Sequence, residues 1–216
     1  NWKNTLNELG LEISTGPVVA FRAKEHLSLS DKIDDKSSPL IWAHNLNDFH
    51  TIWPFAKNSK EQTIKICDAS LKLLLPAKNY VLLKRFTSKE QKRRLYASTF
   101  IGSKFPHKIV GIENHVNYIH RPHGEMTEDE VYGLTALFNS RILDDFFRAV
   151  NGNTQVNATD IRNIPLPDIG VIKKIGRYIM DTVSRNSEPN IDRFIGSELN
   201  IPGSGTRCTE EIVLYE

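Results

Sequence analysis

The sequence predicts an α+β fold, a strand-rich body followed by a helical C-terminal part. Three observations carry that expectation. Between Leu11 and His120, short runs rich in Val, Ile, Thr and aromatic residues are punctuated by Gly, Pro, Asn and Asp, as strands and turns require. Thr127 followed three positions later by Glu130 is a capping-box signature, and Val131, Leu134, Phe138, Ile142, Phe146 and Val150 behind it keep helical spacing. Ile172, Ile175, Ile179 and Val183 repeat that spacing within 169–185.

Taken in order, residues 1–15 read as a short helix with Trp2, Leu6 and Leu9 on one face and Gly10 ending it. The stretch ISTGPVVAF gives a turn at Thr15–Gly16–Pro17 and then a strand through Phe21. Residues 28–39 are polar and charged, an exposed loop. PLIWAHNL is a strand that leads into a second loop at 45–50, and Trp53–Pro54 opens a further edge. Residues 79–87 and 95–101 are two strands around a charged connection, and HKIVGIENHVNYIH continues the β-rich middle. After the long helical pattern comes NGNTQVNATDIRNIPLP, a run of amides and small hydroxyls. A helix over 169–185 follows, then a short helix over 191–199 and a loose Pro- and Gly-containing end. The expected division is 1–167 and 168–216.

Composition bounds the function. Hydrophobic residues make up 39% and charged residues 25% of 216, enough for a proper core. A net charge of only +2 does not mark a nucleic-acid binder, so any such reading must rest on local clustering. Cys67 and Cys208 cannot build a disulfide framework or a tetrathiolate zinc site, and a reducing cytoplasm is the simplest compartment. No apolar run is long enough to span a bilayer, so no membrane partner is expected. Asn1 in place of an initiator Met suggests a piece of a longer polypeptide.

Charge does cluster once. In KRFTSKEQKRR, Lys84, Arg85, Lys89, Lys92, Arg93 and Arg94 are offset by Glu90 alone. A polyanionic backbone would screen their repulsion and add counterion release; a solvated hairpin is the plainer reading. The amide-rich loop offers Asn151, Asn153, Thr154, Gln155, Asn157, Thr159 and Arg162. Amides match the exposed edge of adenine and arginine that of guanine, yet the same groups could satisfy orphan backbone between two helices. Asp144–Asp145 are adjacent on a helix, point apart, and read as a solvated face rather than an acid/base pair. His115, His120 and His123 lack a zinc ligand pattern. There is no GxGxxG, P-loop or GxSxG, hence no cofactor site and no catalytic residue to name.

Five segments carry a resemblance: LGLEISTGPVVAFRAKEHL, SPLIWAHNL, YVLLKRFTSKEQKRRLYASTF, VGIENHVNYIH and GLTALFNSRILDDFFRAVNGNTQVNATDIRNIPLP, in that order. Together they resemble the C-terminal part of adenine-specific type II DNA modification methylases of restriction–modification systems. The stretch that runs from the helix through NTQVN and IPLP into the next helix is also similar to the target-recognition domains of type I specificity subunits. The resemblance extends to about Met180.

It implies a target-recognition domain whose partner is double-stranded DNA. In such families an N-terminal methyltransferase domain binds S-adenosylmethionine and carries an NPPY-type motif for the flipped adenine. Neither that motif nor the glycine-rich loop occurs in these residues, so the fragment alone is expected to be non-catalytic and the cofactor to belong to the missing domain. On this resemblance Lys84, Arg85, Lys89, Lys92, Arg93 and Arg94 would grip phosphates. Arg22, Asn114 and His115 could reach backbone or base, as could Gln155 and Asn157, with Thr154 and Arg162 supporting the loop. The alternatives are a type I specificity subunit and a metal-dependent nuclease using His115 and His120.

Overall fold

The computed structural model describes residues 2–55, 60–87, 90–152 and 155–198. Two larger sheets and a layer of helices are stacked face to face, beside a separate two-stranded pair. The strands, in chain order, are β1 (Glu12–Thr15), β2 (Leu27–Ser28), β3 (Ser37–Ile41), β4 (Leu46–Asn47), β5 (His50–Thr51), β6 (Thr63–Lys65), β7 (Leu74–Pro76), β8 (Tyr80–Lys84), β9 (Ala97–Phe100), β10 (Ile109–Ile112) and β11 (Val116–His120). The helices are α1 (Ala20–Ala23), α2 (Asp68–Leu71), α3 (Glu128–Asn139), α4 (Arg141–Val150), α5 (Ala158–Arg162), α6 (Ile169–Ser184) and α7 (Ile191–Glu198). The α+β expectation holds, with the long helices in the C-terminal half.

The first sheet runs β1-β11-β8-β9 and is antiparallel throughout; the second runs β2-β6-β3-β10-β7 with one parallel pair, β3 beside β10. Alternation along the first sheet divides its side chains between two cores. Val81, Leu83, Ala97 and Ile119 face the helices and share a core with Leu134, Leu137, Ile172, Ile175 and Ile195. Tyr80, Leu82, Phe100 and Val116 face the second sheet and meet Ile41, Val110 and Ile112. Because the helix-side core runs from Leu6 to Ile195, residues 168–198 pack as part of the same body.

Two expected elements are different. In place of the helix expected over residues 1–15 there is a 3-10 turn, Asn7–Leu9, ended by Gly10 in the left-handed region (φ 68), and the chain then enters β1. The strand expected after the turn at 15–17, through Phe21, does not form; β1 ends before that turn, at Thr15. Gly16 sits so close to the Ile112 and Glu113 carbonyls that a Cβ there would lie 2.5 and 2.4 Å from them, Val18 joins the second sheet by one bridge, and the chain turns into α1, leaving Phe21 exposed. The helical spacing over 131–150 also conceals a break. Ser140 is extended (φ −76, ψ 147), and its hydroxyl accepts from the Leu143 amide as the N-cap of α4. Just before it, the buried Asn139 amide exchanges two hydrogen bonds with the Ala97 backbone, 2.8 and 2.9 Å, and pins the end of α3 to β9. The redirected α4 therefore presents Phe146 and Val150 to solvent.

α3 and α6 approach at two glycines. A Cβ on Gly133 would fall 2.0 Å from the Ile172 carbonyl oxygen, and one on Gly176 would fall 1.8 Å from that of Asp129. Only a residue without a side chain fits. Gly133→Ala and Gly176→Ala are each expected to lower stability by about 1–3 kcal/mol through forced separation of the helices, read as a lower urea midpoint at unchanged m-value; an unchanged midpoint would contradict this packing.

Burial also sets a pH dependence. It holds the His44 imidazole, stacked on Trp42 and tilted against Phe55, below its ordinary 6.5, with Lys60 and Lys84 adding to the effect; burial lowers His120 likewise, partly opposed by Glu12. The unfolded chain then binds protons that the fold refuses, so stability is full above pH 6.5 and falls as pH drops towards the depressed folded values. Urea titrations across that window should show the decline, and His44→Phe should flatten part of it; an unaltered slope would contradict the assignment.

Candidate nucleic-acid interface

The site is built where β8, β11 and the amide-rich loop end together. Beyond β8, the Arg85 amide donates to the His115 carbonyl (2.9 Å), which continues the β8–β11 ladder. On its other side, Phe86 bridges Gln155, and the Val156 amide donates to the Arg85 carbonyl (2.8 Å). The Asn114 amide in turn donates to the Val18 carbonyl (2.9 Å), and Val18 leads into α1, which carries Arg22. Asn117 locks this assembly. Fully buried, it accepts at Oδ1 from the Thr15 hydroxyl and donates from Nδ2 to the Val156 carbonyl, both at 2.9 Å.

On this edge the Phe86 ring is exposed (44%), with the Arg85 guanidinium 5.4 Å and the His115 imidazole 4.9 Å from its centre. Arg85 also donates to the Asn114 carbonyl, 3.2 Å. Beneath them lies Glu113, only 1% exposed. One carboxylate oxygen accepts from the His115 amide (2.8 Å) and the other meets the His115 Nδ1 (2.6 Å). The imidazole itself is half exposed, so its Nε2 edge is the part left for a visitor. Arg85, Asn114, His115 and Gln155 thus come together. Phe86 and Glu113 were not singled out from the sequence; the signal available was an aromatic directly after a basic strand end and an acid two positions before the histidine.

The basic cluster is divided. Lys84 follows Tyr80 and Leu82 on the face towards the second sheet, where its ammonium lies 3.8 Å from the centre of the Tyr96 ring. Burial pulls its pKa down, Asp48 opposes, and Arg93 adds to the lowering. Arg93 also covers Tyr96, 4.8 Å from its centre, and is paired with Asp48 at 2.6 Å. Lys92 is exposed. Arg94 is not on the surface. It is 2% exposed, bonded to the Thr87 hydroxyl and set 5.8 Å from the centre of the Phe147 ring. Its expected grip on phosphate is therefore corrected to an interior role, because a group so enclosed cannot reach a backbone that stays in water. Lys89 and Thr154 lie outside the described residues.

Arg94 is interior because Asp144 is. Instead of a solvated face, the Asp144 carboxylate is 4% exposed and accepts from the Arg94 and Leu95 amides at 2.6 and 2.8 Å and from the Arg148 guanidinium at 2.7 Å. Asp145 is exposed. In the amide-rich loop, Asn157 donates to Asp160 (3.2 Å), as does Asn151 (2.6 Å), and Arg162 donates to the Ile13 carbonyl (3.1 Å). These three brace the loop. Among the described residues no three His, Cys, Asp or Glu side chains are grouped as a metal ion would need, and no helix is long and apolar enough to cross a membrane.

No family model matches the chain. Over 197 residues, 91% of its length, it is 34% identical to the Type II methyltransferase M.PstI of Providencia stuartii. Over 189 residues, 87% of its length, it is 34% identical to the Type II methyltransferase M.BsuBI of Bacillus subtilis. The chain is similar to a region of type II methyltransferases. It spans 38% and 37% of those two relatives, little more than a third of their length. The chain thus couples a convergent polar edge with a basic segment that the fold splits between surface and interior.

Asp144→Ala is expected to destabilise the fold by about 3–5 kcal/mol, since it strands two backbone amides and a guanidinium, whereas Asp145→Ala should stay within roughly 0.5 kcal/mol. Chemical denaturation of both variants checks this, and equal effects would contradict the buried placement of Asp144.

Proposed function

We propose that this chain is the sequence-specific duplex DNA recognition region of an adenine-specific DNA methyltransferase of a restriction–modification system. The observation that carries the reading is the meeting of Arg85 and His115 around the exposed Phe86 ring, with Asn114 and Gln155 joined to the same edge through their backbone. Such an edge offers a fork of donors, an amide and an imidazole to whatever lies against it, which is the chemistry that reads base edges. Kinship with type II methyltransferases supports the reading, and so does the lack of a glycine-rich cofactor loop in these residues. S-adenosylmethionine and the transfer step would then belong to a separate methyltransferase domain, in a bacterial cytoplasm.

In this reading residues 1–167 form the recognition unit and the helices from 168 brace it through the shared core. Arg85 and Lys92 supply phosphate contacts, with Lys84 set over Tyr96 and Arg93 partly neutralised by Asp48. Arg22 flanks the edge from α1. Fluorescence anisotropy of labelled duplexes over a salt series tests it. Wild-type affinity should fall log-linearly with salt, and Arg85→Ala and Lys92→Ala should each shallow the slope by about 0.9. No salt-dependent duplex binding by the wild type would overturn the proposal.

A further inference from the structure

Phe86 is exposed at a place where the fold holds it still. The residue before it is bonded on both sides, since the Arg85 amide donates to the His115 carbonyl (2.9 Å) and the Arg85 carbonyl accepts from the Val156 amide (2.8 Å). The Phe86 ring is flanked by the Arg85 guanidinium and by the His115 imidazole, which the buried Glu113 carboxylate holds at Nδ1. With both neighbours in place, 44% of the residue still faces solvent. The bridge from Phe86 to Gln155 is antiparallel, and residues directly opposed in such a pair set their side chains on the same face. An amide therefore stands beside the ring. Gln62, Asn117 and Asn139 use their amides inside the fold, whereas the Gln155 amide makes no hydrogen bond among the described residues. The edge thus joins a fixed apolar surface to an uncommitted polar group.

We propose that Phe86 is a specificity-determining residue that reads a thymine by its C5 methyl group in the major groove, with the Gln155 amide directed to the polar atoms beside that methyl. The inference rests on the DNA-recognition reading and deepens it. The floor of the major groove consists of hydrogen-bond donors and acceptors, and the thymine methyl is the one alkyl group among them. A phenyl ring set against N7, O6 or N4 would strip water from those atoms and leave them unbonded. Set against a methyl, it removes apolar surface from water on both sides and desolvates nothing polar. Thymine O4 lies next to the methyl, and adenine N6 and N7 follow across the same base pair. All three are within the repertoire of an amide, which both donates and accepts.

The test uses the 216-residue chain. Selection from a random duplex library supplies a retained duplex, and each of its thymines is then replaced, one at a time, by deoxyuridine, which keeps the base pair and deletes only the methyl. Binding is read by fluorescence anisotropy. At one thymine the replacement should weaken wild-type binding roughly fourfold, the share of one buried methyl group. Phe86→Ala should bind the parent duplex more weakly by a similar factor, keep the wild-type salt slope, and be indifferent to the replacement at that thymine. Phe86→Gln, a polar side chain of comparable reach, should behave as the alanine variant does, and it is read instead if the thermal melt of Phe86→Ala departs from wild type. Wild-type binding that is insensitive to every methyl, or a methyl effect that survives the loss of the ring, overturns this inference and leaves the recognition reading standing. A wild type that retains no duplex overturns that reading itself.

Discussion

The Asn117 side chain is the constraint on which the rest of the structure depends. It is fully enclosed, yet both ends of its amide are used, one by the Thr15 hydroxyl of β1 and one by the carbonyl of Val156. A buried amide is tolerable only when satisfied in this way. Satisfying it brings the loop after α4 down onto the ends of β8 and β11, where Val156 and Gln155 extend the sheet beside Arg85 and Phe86. Together with the Val156 amide bond to the Arg85 carbonyl and the buried Val156 side chain, that anchor holds the polar loop beside the His115 edge. The candidate interface is therefore a product of the sheet's interior.

A second buried carboxylate governs the basic segment between β8 and β9. Asp144 collects the Arg94 and Leu95 amides and so draws the end of that segment inward, while Arg148 reaches back from α4 to the Gln91 carbonyl. The six cations crowded in the sequence are consequently not equivalent. Lys84 and Arg93 rest on Tyr96 towards the second sheet, Arg94 is a structural strut, and Arg85 belongs to the edge around Phe86. An electrostatic surface inferred from consecutive charges ignores that neighbouring residues of a strand point to opposite faces.

What was legible from the sequence follows the same logic. The pairing of residues 80–84 with 97–100, the capping box at Thr127, and the helices near 169–185 and 191–198 are local patterns, and the structure contains them. The break at Ser140 was hidden because Ile142 and Phe146 continue the apolar spacing, while the interruption comes from a hydroxyl cap and from Asn139 bonding to a strand 42 residues earlier. The burial of Arg94 depends on an aspartate 50 residues away. Glu113 meets His115 locally, two positions away, whereas Arg85 and Gln155 reach that edge through strand register. The membership of the edge is a property of register, and register is not written in any one segment.

The most direct measurement is a two-dimensional amide NMR titration of the isotope-labelled chain with a duplex it retains. The account predicts that the resonances that move form one contiguous set, centred on residues 85–86, 113–115 and 155–157 and fading towards α6 and α7. Shifts that concentrate on the far helices, or on the Tyr96 side of β8 with residues 113–115 unmoved, would contradict it.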